Sequence, residues 1–290
     1  MVTTRSKGNS ADQDSREPGG AKTGQKRSRV QAPKAQSDGT KTKQRKKDRD
    51  EPQHEKNERG EVHDVAVMPS KPQNESTKPA HTKVERLLKQ YPGLPLSDTD
   101  LEEPGKATPE TVLALLLNAI LSSTRVSHTI AAKTTDLVIK AGYHKLDVLK
   151  KSTWQDRTEV LTEGGYTHYR EKTATFLGEL AELIEEKYQG DLNAILKSTS
   201  EDPKKIRAEL KTIKGLGDVG IDIFFTTAQH VWPCLAPWID PRSLKTAENI
   251  GLGKDVQALW KEVGEKPEVM CNLAGALTDV RLEKKESEWA

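Results

Sequence analysis

Two short segments of this sequence hold residues whose types and spacing could do chemistry. The first, KGLGDVGIDIFFTTAQ at residues 214–229, carries Gly215, Gly217 and Gly220 and then becomes apolar. The residues on both sides predict helices, so the glycines form a turn between two helices. Glycine lets a ligand approach the backbone closely, and the free N–H groups at a helix N-terminus attract anions. The turn could therefore bind a phosphate group.

The glycine turn also has an interpretation that needs no ligand, because a tight connection between two helices often requires glycine. No strand is predicted before the glycines, so the strand–glycine–helix arrangement of dinucleotide-binding proteins is not indicated. The segment also lacks the Gly-Lys-Ser/Thr of a nucleotide P-loop. The alternatives that remain are a plain tight turn and a contact with a nucleic-acid phosphate.

The second segment is WIDPRSLKTAENIGLG at residues 238–253, in which Asp240 is followed by Pro241. Aspartate before a proline is a typical start of a helix, with the carboxylate as the N-cap and proline in the first turn. A carboxylate at a helix start can cap the helix and also face a cleft. Asp240 is therefore a capping residue and a candidate for chemistry.

The elements that must position these residues are helices. From Thr108 onward the apolar residues recur at helical spacing, and no convincing alternating strand is present. TPETVLALLLNAILSS begins with Thr108 as an N-cap candidate and Pro109 at the first helical position. This helix is apolar nearly all round, which predicts a central place in a bundle. The sequence therefore predicts an all-α fold with a core of its own.

The N-terminal part has a different composition. Residues 1–50 hold 14 Lys and Arg against 6 Asp and Glu, and large apolar side chains are scarce up to about residue 80. Such a segment buries too little surface to offset its ordering entropy. We predict a disordered basic tail over residues 1–106, with a short helix at residues 84–91 that docks on the domain at 107–290. The clusters KRSR (26–29) and KTKQRKKDR (41–49) indicate a solvated tail, a nuclear import signal or a non-specific nucleic-acid contact.

Composition also excludes several classes of protein. No apolar run approaches the length of a membrane span, and no N-terminal signal peptide with an apolar core is present. Cys234 and Cys271 are too few for a disulfide framework or a four-thiolate cluster. With His230 they lack the tight spacing of a metal site. We therefore predict an intracellular protein with no metal, no cofactor and no membrane association.

The order of these features resembles the endonuclease III-like DNA glycosylase superfamily, whose members share a helix-hairpin-helix. In that family a hairpin with Gly-x-Gly is followed by an apolar helix, a Pro-containing loop and an aspartate that begins a helix. Here Gly215–Gly217 fits the hairpin, Trp232 and Pro233 fit the loop, and Asp240 fits the aspartate. Upstream, LLLNAILSSTR (115–125) and GGYTHYREKTATFL (164–177) are similar to the family's early DNA-facing loop and its glycine-aromatic stretch.

The resemblance implies a role for each matched residue. Asp240 would be catalytic, since a carboxylate beside the anomeric carbon can stabilise a cation-like sugar and help activate water. A flipped base needs stacking and edge contacts from a pocket. The resemblance places DNA contacts at Lys214, Gly215, Leu216, Gly217, Val219, Gly220, Thr124 and Arg125, and a base pocket at Tyr166, His168 and Trp238.

The sequence departs from the family pattern at three places. Bifunctional members carry a lysine two residues after the second hairpin glycine, where this chain has Val219. A β-elimination through a Schiff base needs an amine nucleophile, so lyase activity is not indicated. The four-cysteine iron–sulfur loop of many members is absent, and Thr124 and Arg125 stand where a gap-filling Gln is usual.

These features together predict a monofunctional DNA N-glycosylase of base-excision repair. It would act on double-stranded DNA as a monomer in the nucleus, or in the mitochondrion. The first alternative is a non-catalytic helix-hairpin-helix DNA-binding protein, and the second is a scaffold without either property. The domain at 108–290 has a slight excess of acidic residues, which is unusual for a duplex-binding protein. Either the tail or a local patch of Lys211, Lys214, Arg242 and Lys245 would then attract DNA.

Overall fold

The computed structural model describes residues 79–290, with side chains from Lys83 onward. This part is all-α, as predicted, and has no strand among its described residues. The helices are α1 (Pro79–Gln90), α2 (Pro109–Ser122), α3 (His128–Lys140), α4 (Leu146–Lys151), α5 (Trp154–Glu163), α6 (Arg170–Tyr188), α7 (Ala194–Thr199), α8 (Pro203–Leu210), α9 (Asp218–Ala228), α10 (Pro241–Asn249), α11 (Val256–Glu262), α12 (Pro267–Leu282) and α13 (Glu286–Trp289), with a turn of 3-10 helix at Pro233–Leu235. None of the described helices has the length and apolar character that a bilayer-spanning segment requires.

Helix α2 lies at the centre of the larger part of the fold. Ten of its 14 residues are buried, so the central position predicted from its apolar character is confirmed. The Thr108 side chain caps the helix by accepting a hydrogen bond from the Thr111 N–H, and Pro109 occupies the first turn. Helices α3 and α9 pack against α2. The second helix of the glycine hairpin is thereby fixed on the central helix.

The buried apolar side chains form two main cores. The larger core draws its residues from α2 through α9, and the smaller core draws its residues from α1 and from α10 through α13. Helix α9 packs against α2 in the first group and against α12 in the second. The fold thus has two lobes, each built around one core, and α9 packs against both. A cleft lies between the lobes, and polar side chains from both lobes line it.

The folded part begins upstream of residue 107, where we placed the domain boundary. The short helix predicted at 84–91 is confirmed as α1, which packs on α12. The ammonium group of Lys83 donates hydrogen bonds to the carbonyl oxygens of Ile250 and Trp289, at 2.6 and 2.7 Å. The Tyr91 hydroxyl donates to Glu283 at 2.9 Å. The basic clusters at 26–29 and 41–49 lie outside the described residues.

We expect Lys83→Met to destabilise the fold by about 1–3 kcal/mol, because it leaves two carbonyl groups at helix ends without a charged donor. The measurement is the free energy of unfolding from urea denaturation. Lys89→Met is the matched control, since Lys89 lies on the same helix with an exposed side chain. Equal stability of the two variants would show that the Lys83 contacts do not hold α1 in place.

Candidate functional site

The glycine turn connects α8 to α9 as a tight hairpin. Gly215 has a φ of +86°, and a Cβ atom there would lie 2.6 Å from Cδ2 of Phe176. Leu216 is buried and anchors the turn to the larger core. Gly217 precedes α9, and a Cβ atom on Gly217 would meet no atom within 4 Å. The hairpin therefore presents open backbone at the start of α9, where the first N–H groups have no intrahelical acceptor.

Two further residues of the hairpin, Gly220 and Val219, differ in exposure: Gly220 is packed against the end of α2, and Val219 faces solvent. A Cβ atom on Gly220 would lie 2.7 Å from Cδ1 of Leu216 and 3.3 Å from Cβ of Ser123. Gly220 thus allows α9 to approach the end of α2 closely. Val219 is 44% exposed and faces solvent in the first turn of α9. Of the two, Val219 is the one that a ligand at the hairpin could touch.

The hairpin cations are paired with acidic side chains. Lys211 contacts both oxygens of Asp218 at 2.8 and 3.0 Å, and Lys214 contacts Glu179 at 2.9 Å. The hydrogen bond from Lys211 lowers the pKa of Asp218, so this carboxylate is ionised at the N-terminus of α9. An incoming anion would have to share that end of the helix with Asp218.

The structure brings the hairpin close to the end of α2, which the sequence separates by about 90 residues. Thr124, Arg125 and Gly215 line one groove of about 310 Å³, together with Lys172 and Phe176 of α6. The Thr124 hydroxyl lies 2.8 Å from the Tyr166 hydroxyl. Arg125 is exposed and makes no ion pair with the described residues. Two of the predicted DNA-contact segments therefore share a surface.

Asp240 is the N-cap of α10, as its sequence position indicates. Its Oδ1 atom accepts hydrogen bonds from the N–H groups of Arg242 at 3.0 Å and Ser243 at 3.4 Å. The residue is only 5% exposed, yet it lines the cleft between the lobes. The Arg242 guanidinium lies 3.6 Å from the same oxygen. Capping and exposure to the cleft thus occur together.

The loop that carries Asp240 is fixed by a buried glutamine. Gln229, at the end of α9, donates to the carbonyl of Trp238 at 2.9 Å and accepts from its N–H at 3.0 Å. On the other side of Asp240, the Ser243 and Thr278 hydroxyls lie 2.8 Å apart and join α10 to α12. These contacts tie the residues on both sides of Asp240 to α9 and α12.

The cleft at Asp240 has a volume of about 640 Å³. Its walls come from α2, α3, α9, α10 and α12, from the last residue of α1, and from the segment 91–98 that follows it. Thr124, a predicted DNA contact, and Arg242, a member of the predicted cation patch, line the cleft with Asp240. The polar residues of the cleft that were not singled out from the sequence include Asn118, His128, Asn272, Asp279 and Arg281. Arg242 had been proposed only as a surface cation.

Charges of both signs surround Asp240. Burial lowers the pKa of Arg281, and the nearby Asp240 carboxylate opposes this shift, so the guanidinium stays charged. Its Nε atom is buried without a hydrogen-bond partner in the described part of the chain. The Asp279 side chain lies at the edge of the cleft and is partly exposed to solvent. Loss of hydration in the cleft and the negative charge of Glu283 raise the pKa of Asp279 to about 6. The cleft therefore offers donors and acceptors beside one buried carboxylate.

Comparisons with known proteins give little beyond the geometry. No family model and no curated protein matches the chain. Among solved structures, the chain is similar to 3-methyladenine DNA glycosylase (MagIII) of H. pylori, in a crystal structure bound to 1,N6-ethenoadenine. The match covers 71% of this chain and 98% of that chain, at 14% sequence identity and a TM-score of 0.43. A similarity this low identifies neither a family nor an activity.

The three residues predicted to form a base pocket do not lie together at Asp240. Tyr166 is fully buried in the larger core, and His168 is exposed and packs edge-on against Tyr169 at 4.6 Å. Trp238 packs edge-on against Phe225 at 5.3 Å, and its Nε1–H bonds to the Asp222 carbonyl. Tyr166 thus lies inside the larger core, Trp238 packs against that core, and His168 lies on the surface of the same lobe.

Cys271 lines the cleft, and its thiol contacts the imidazole of His230. The Cys271 thiol donates to the Thr226 carbonyl at 3.3 Å and lies 3.5 Å from Nδ1 of His230. Burial raises the pKa of Cys271 to about 12, so the thiol stays protonated and is not a nucleophile. His230 is half-buried. No group of three or more metal-ligating side chains occurs within residues 83–290.

Proposed function

We propose that this protein is a monofunctional DNA N-glycosylase that hydrolyses the N-glycosidic bond of a damaged or mismatched base. The observation that carries the proposal is the Asp240 carboxylate, which is buried, fixed by two backbone N–H groups and open to a cleft of about 640 Å³. A cleft of this size is typical of small-molecule sites and suits a nucleotide flipped out of the duplex.

The chemistry assigned to Asp240 needs no second nucleophile. As the base leaves, positive charge develops on the sugar ring, and a fixed carboxylate beside the anomeric carbon stabilises that charge. The base leaves with the electron pair of the broken C–N bond and takes up a proton from solvent. Water then attacks the anomeric carbon and transfers a proton to Asp240, which returns it to solvent, so that a free base and an abasic sugar remain. Arg242 and Arg281 flank the carboxylate and would contact oxygens of the flipped nucleotide.

The proposal excludes a lyase step because no lysine is among the described residues that line the cleft. A Schiff base with the abasic sugar requires an amine, and the hairpin position of the family lysine holds the exposed Val219. The strand should therefore stay intact after base release.

A second candidate function is non-catalytic DNA binding. The observation that favours it is that Asp240 caps α10, because capping alone accounts for the hydrogen bonds of the Asp240 side chain. In both functions we propose double-stranded DNA as the partner and a monomer as the working form. We also propose a nuclear location, which rests on the basic clusters outside the described residues.

The two functions differ in a screen with duplexes that carry uracil, alkylated bases, oxidised guanine or mismatched thymine. If the protein is a monofunctional glycosylase, the full-length protein should produce abasic sites, at which the DNA strand breaks only after alkali treatment. Breaks before alkali treatment would contradict the exclusion of a lyase step. Binding to duplexes without any alkali-sensitive product would favour the non-catalytic function.

Removal of the acidic charge at the hairpin should strengthen DNA binding. Asp218→Asn removes the carboxylate that occupies the N-terminus of α9 and frees Lys211 for a phosphate. We expect the Kd for duplex DNA to fall about threefold at low salt, because one exposed charge pair contributes under about 1 kcal/mol. Fluorescence anisotropy measures the Kd, and Asp147→Asn provides the same charge change in the first turn of α4. An equal change in Kd for both variants would show that the hairpin is not part of the DNA interface.

A further inference from the structure

The cleft contains an amide that has no partner within the described structure. Asn272 of α12 lines the cleft at Asp240, and its Oδ1 atom is buried without a hydrogen bond. A buried acceptor without a donor is costly, and such groups in native proteins call for an explanation. The other asparagine of the cleft differs, since Oδ1 of Asn118 accepts from the Ser122 hydroxyl at 3.1 Å. Asn272 is therefore the asparagine of the cleft whose side-chain oxygen has no hydrogen-bond donor within the described structure.

The surface of the cleft beside Asn272 is open at Gly275. Gly275 lies one turn further along α12 and also lines the cleft, and a Cβ atom built on it would meet nothing within 4 Å. Asp279 follows one turn later on the same face. A planar ring lying over Gly275 would present an edge to the Asn272 amide, while Asp240 approaches from α10.

We propose that Asn272 reads the hydrogen-bonding edge of the flipped base, with Gly275 as the floor under the ring. The inference rests on the proposed glycosylase function and names the class of base that it takes. An amide offers one acceptor beside donors, so it pairs with an edge that has an N–H donor next to an acceptor. Uracil, hypoxanthine and 8-oxoguanine have such an edge. Methylation of the ring N–H removes the donor and leaves Oδ1 unpaired.

The test compares the rate of release of each of these three bases with that of the same base methylated at the ring N–H of its pairing edge. The two duplexes of a pair are otherwise identical. For a base that is released, we expect the wild type to release the unmethylated member about 10- to 100-fold faster. Asn272→Ala should reduce this ratio toward one, whereas Asn272→Asp keeps the acceptor and retains a preference. Asn118→Ala is the control within the same cleft and should leave the ratio unchanged. Equal release of both members by the wild type would overturn the inference while leaving the glycosylase function intact.

The same duplexes also test the inference if no base is released, which would contradict the proposed function. The Kd for each member of a pair is then measured with the base opposite an abasic site, where flipping is easiest. Tighter binding of the unmethylated member, lost in Asn272→Ala, would support edge reading by Asn272. Equal binding of both members would overturn it.

The floor is tested by a variant that should fold at least as well as the wild type. Gly275→Leu places a side chain into open space and replaces a mid-helix glycine by a strong helix former. We expect the thermal midpoint to be unchanged or higher, and base release or binding of the preferred duplex to fall at least tenfold. Retention of full activity in a stable Gly275→Leu protein would show that the base does not lie over α12.

Discussion

Replacement of Asp240 by asparagine is expected to slow base release about 10²- to 10³-fold without unfolding the protein. The loss follows because the amide carries no negative charge to oppose the developing sugar cation. The fold should tolerate the change because asparagine caps a helix as well as aspartate does. Its side-chain oxygen can accept the same bonds from the N–H groups of Arg242 and Ser243. The measurement is the single-turnover rate of base release at saturating protein.

The control for Asp240→Asn is a stability and binding comparison. The thermal midpoint and the Kd for an abasic duplex should both stay close to those of the wild type. Asp240→Ala should lose the cap and about 1 kcal/mol of stability in addition to activity. A rate for Asp240→Asn within threefold of the wild type would assign Asp240 to capping alone.

Gly215→Ala is expected to destabilise the fold. The backbone at Gly215 has a φ of +86°, which costs an L-residue about 1–2 kcal/mol. The new Cβ atom would also lie 2.6 Å from Cδ2 of Phe176, and relief of such an overlap costs about 1–3 kcal/mol more. We therefore expect the free energy of unfolding to fall by about 2–5 kcal/mol, with weaker binding to duplex DNA.

Gly217→Ala is the matched control within the same hairpin. Gly217 has an extended backbone with a φ of −90°, and a Cβ atom there has open space. We expect its unfolding free energy to stay within about 0.5 kcal/mol of the wild type. Equal destabilisation by the two substitutions would contradict the described geometry of the turn.

The features predictable from the sequence are those with a local cause. The central helix α2 follows from its composition and from Thr108 and Pro109 at its start. The hairpin follows from glycines between two helices, and the N-cap at Asp240 follows from the proline after it. In each case the residues that determine the structure are within a few positions of one another.

The cleft itself could not be predicted, because its residues meet only through packing. Asn272 and Arg281 lie on α12, more than 30 residues after Asp240, and nothing in their local sequence separates them from ordinary helix residues. The wall at 90–98 depends on the docking of α1 through Lys83. Tyr166, which was predicted to line a base pocket, lies in the larger core, and Trp238 packs against Phe225.

The most direct test of the proposed glycosylase function is detection of the released base itself. A duplex carrying the base preferred in the lesion screen is incubated with wild-type protein and with Asp240→Asn, and the small molecules are identified by mass spectrometry. The account predicts free base from the wild type, little from the variant, and a DNA strand that stays uncut until alkali is added. No free base above the protein-free control, from a protein that binds the same duplex, would contradict it.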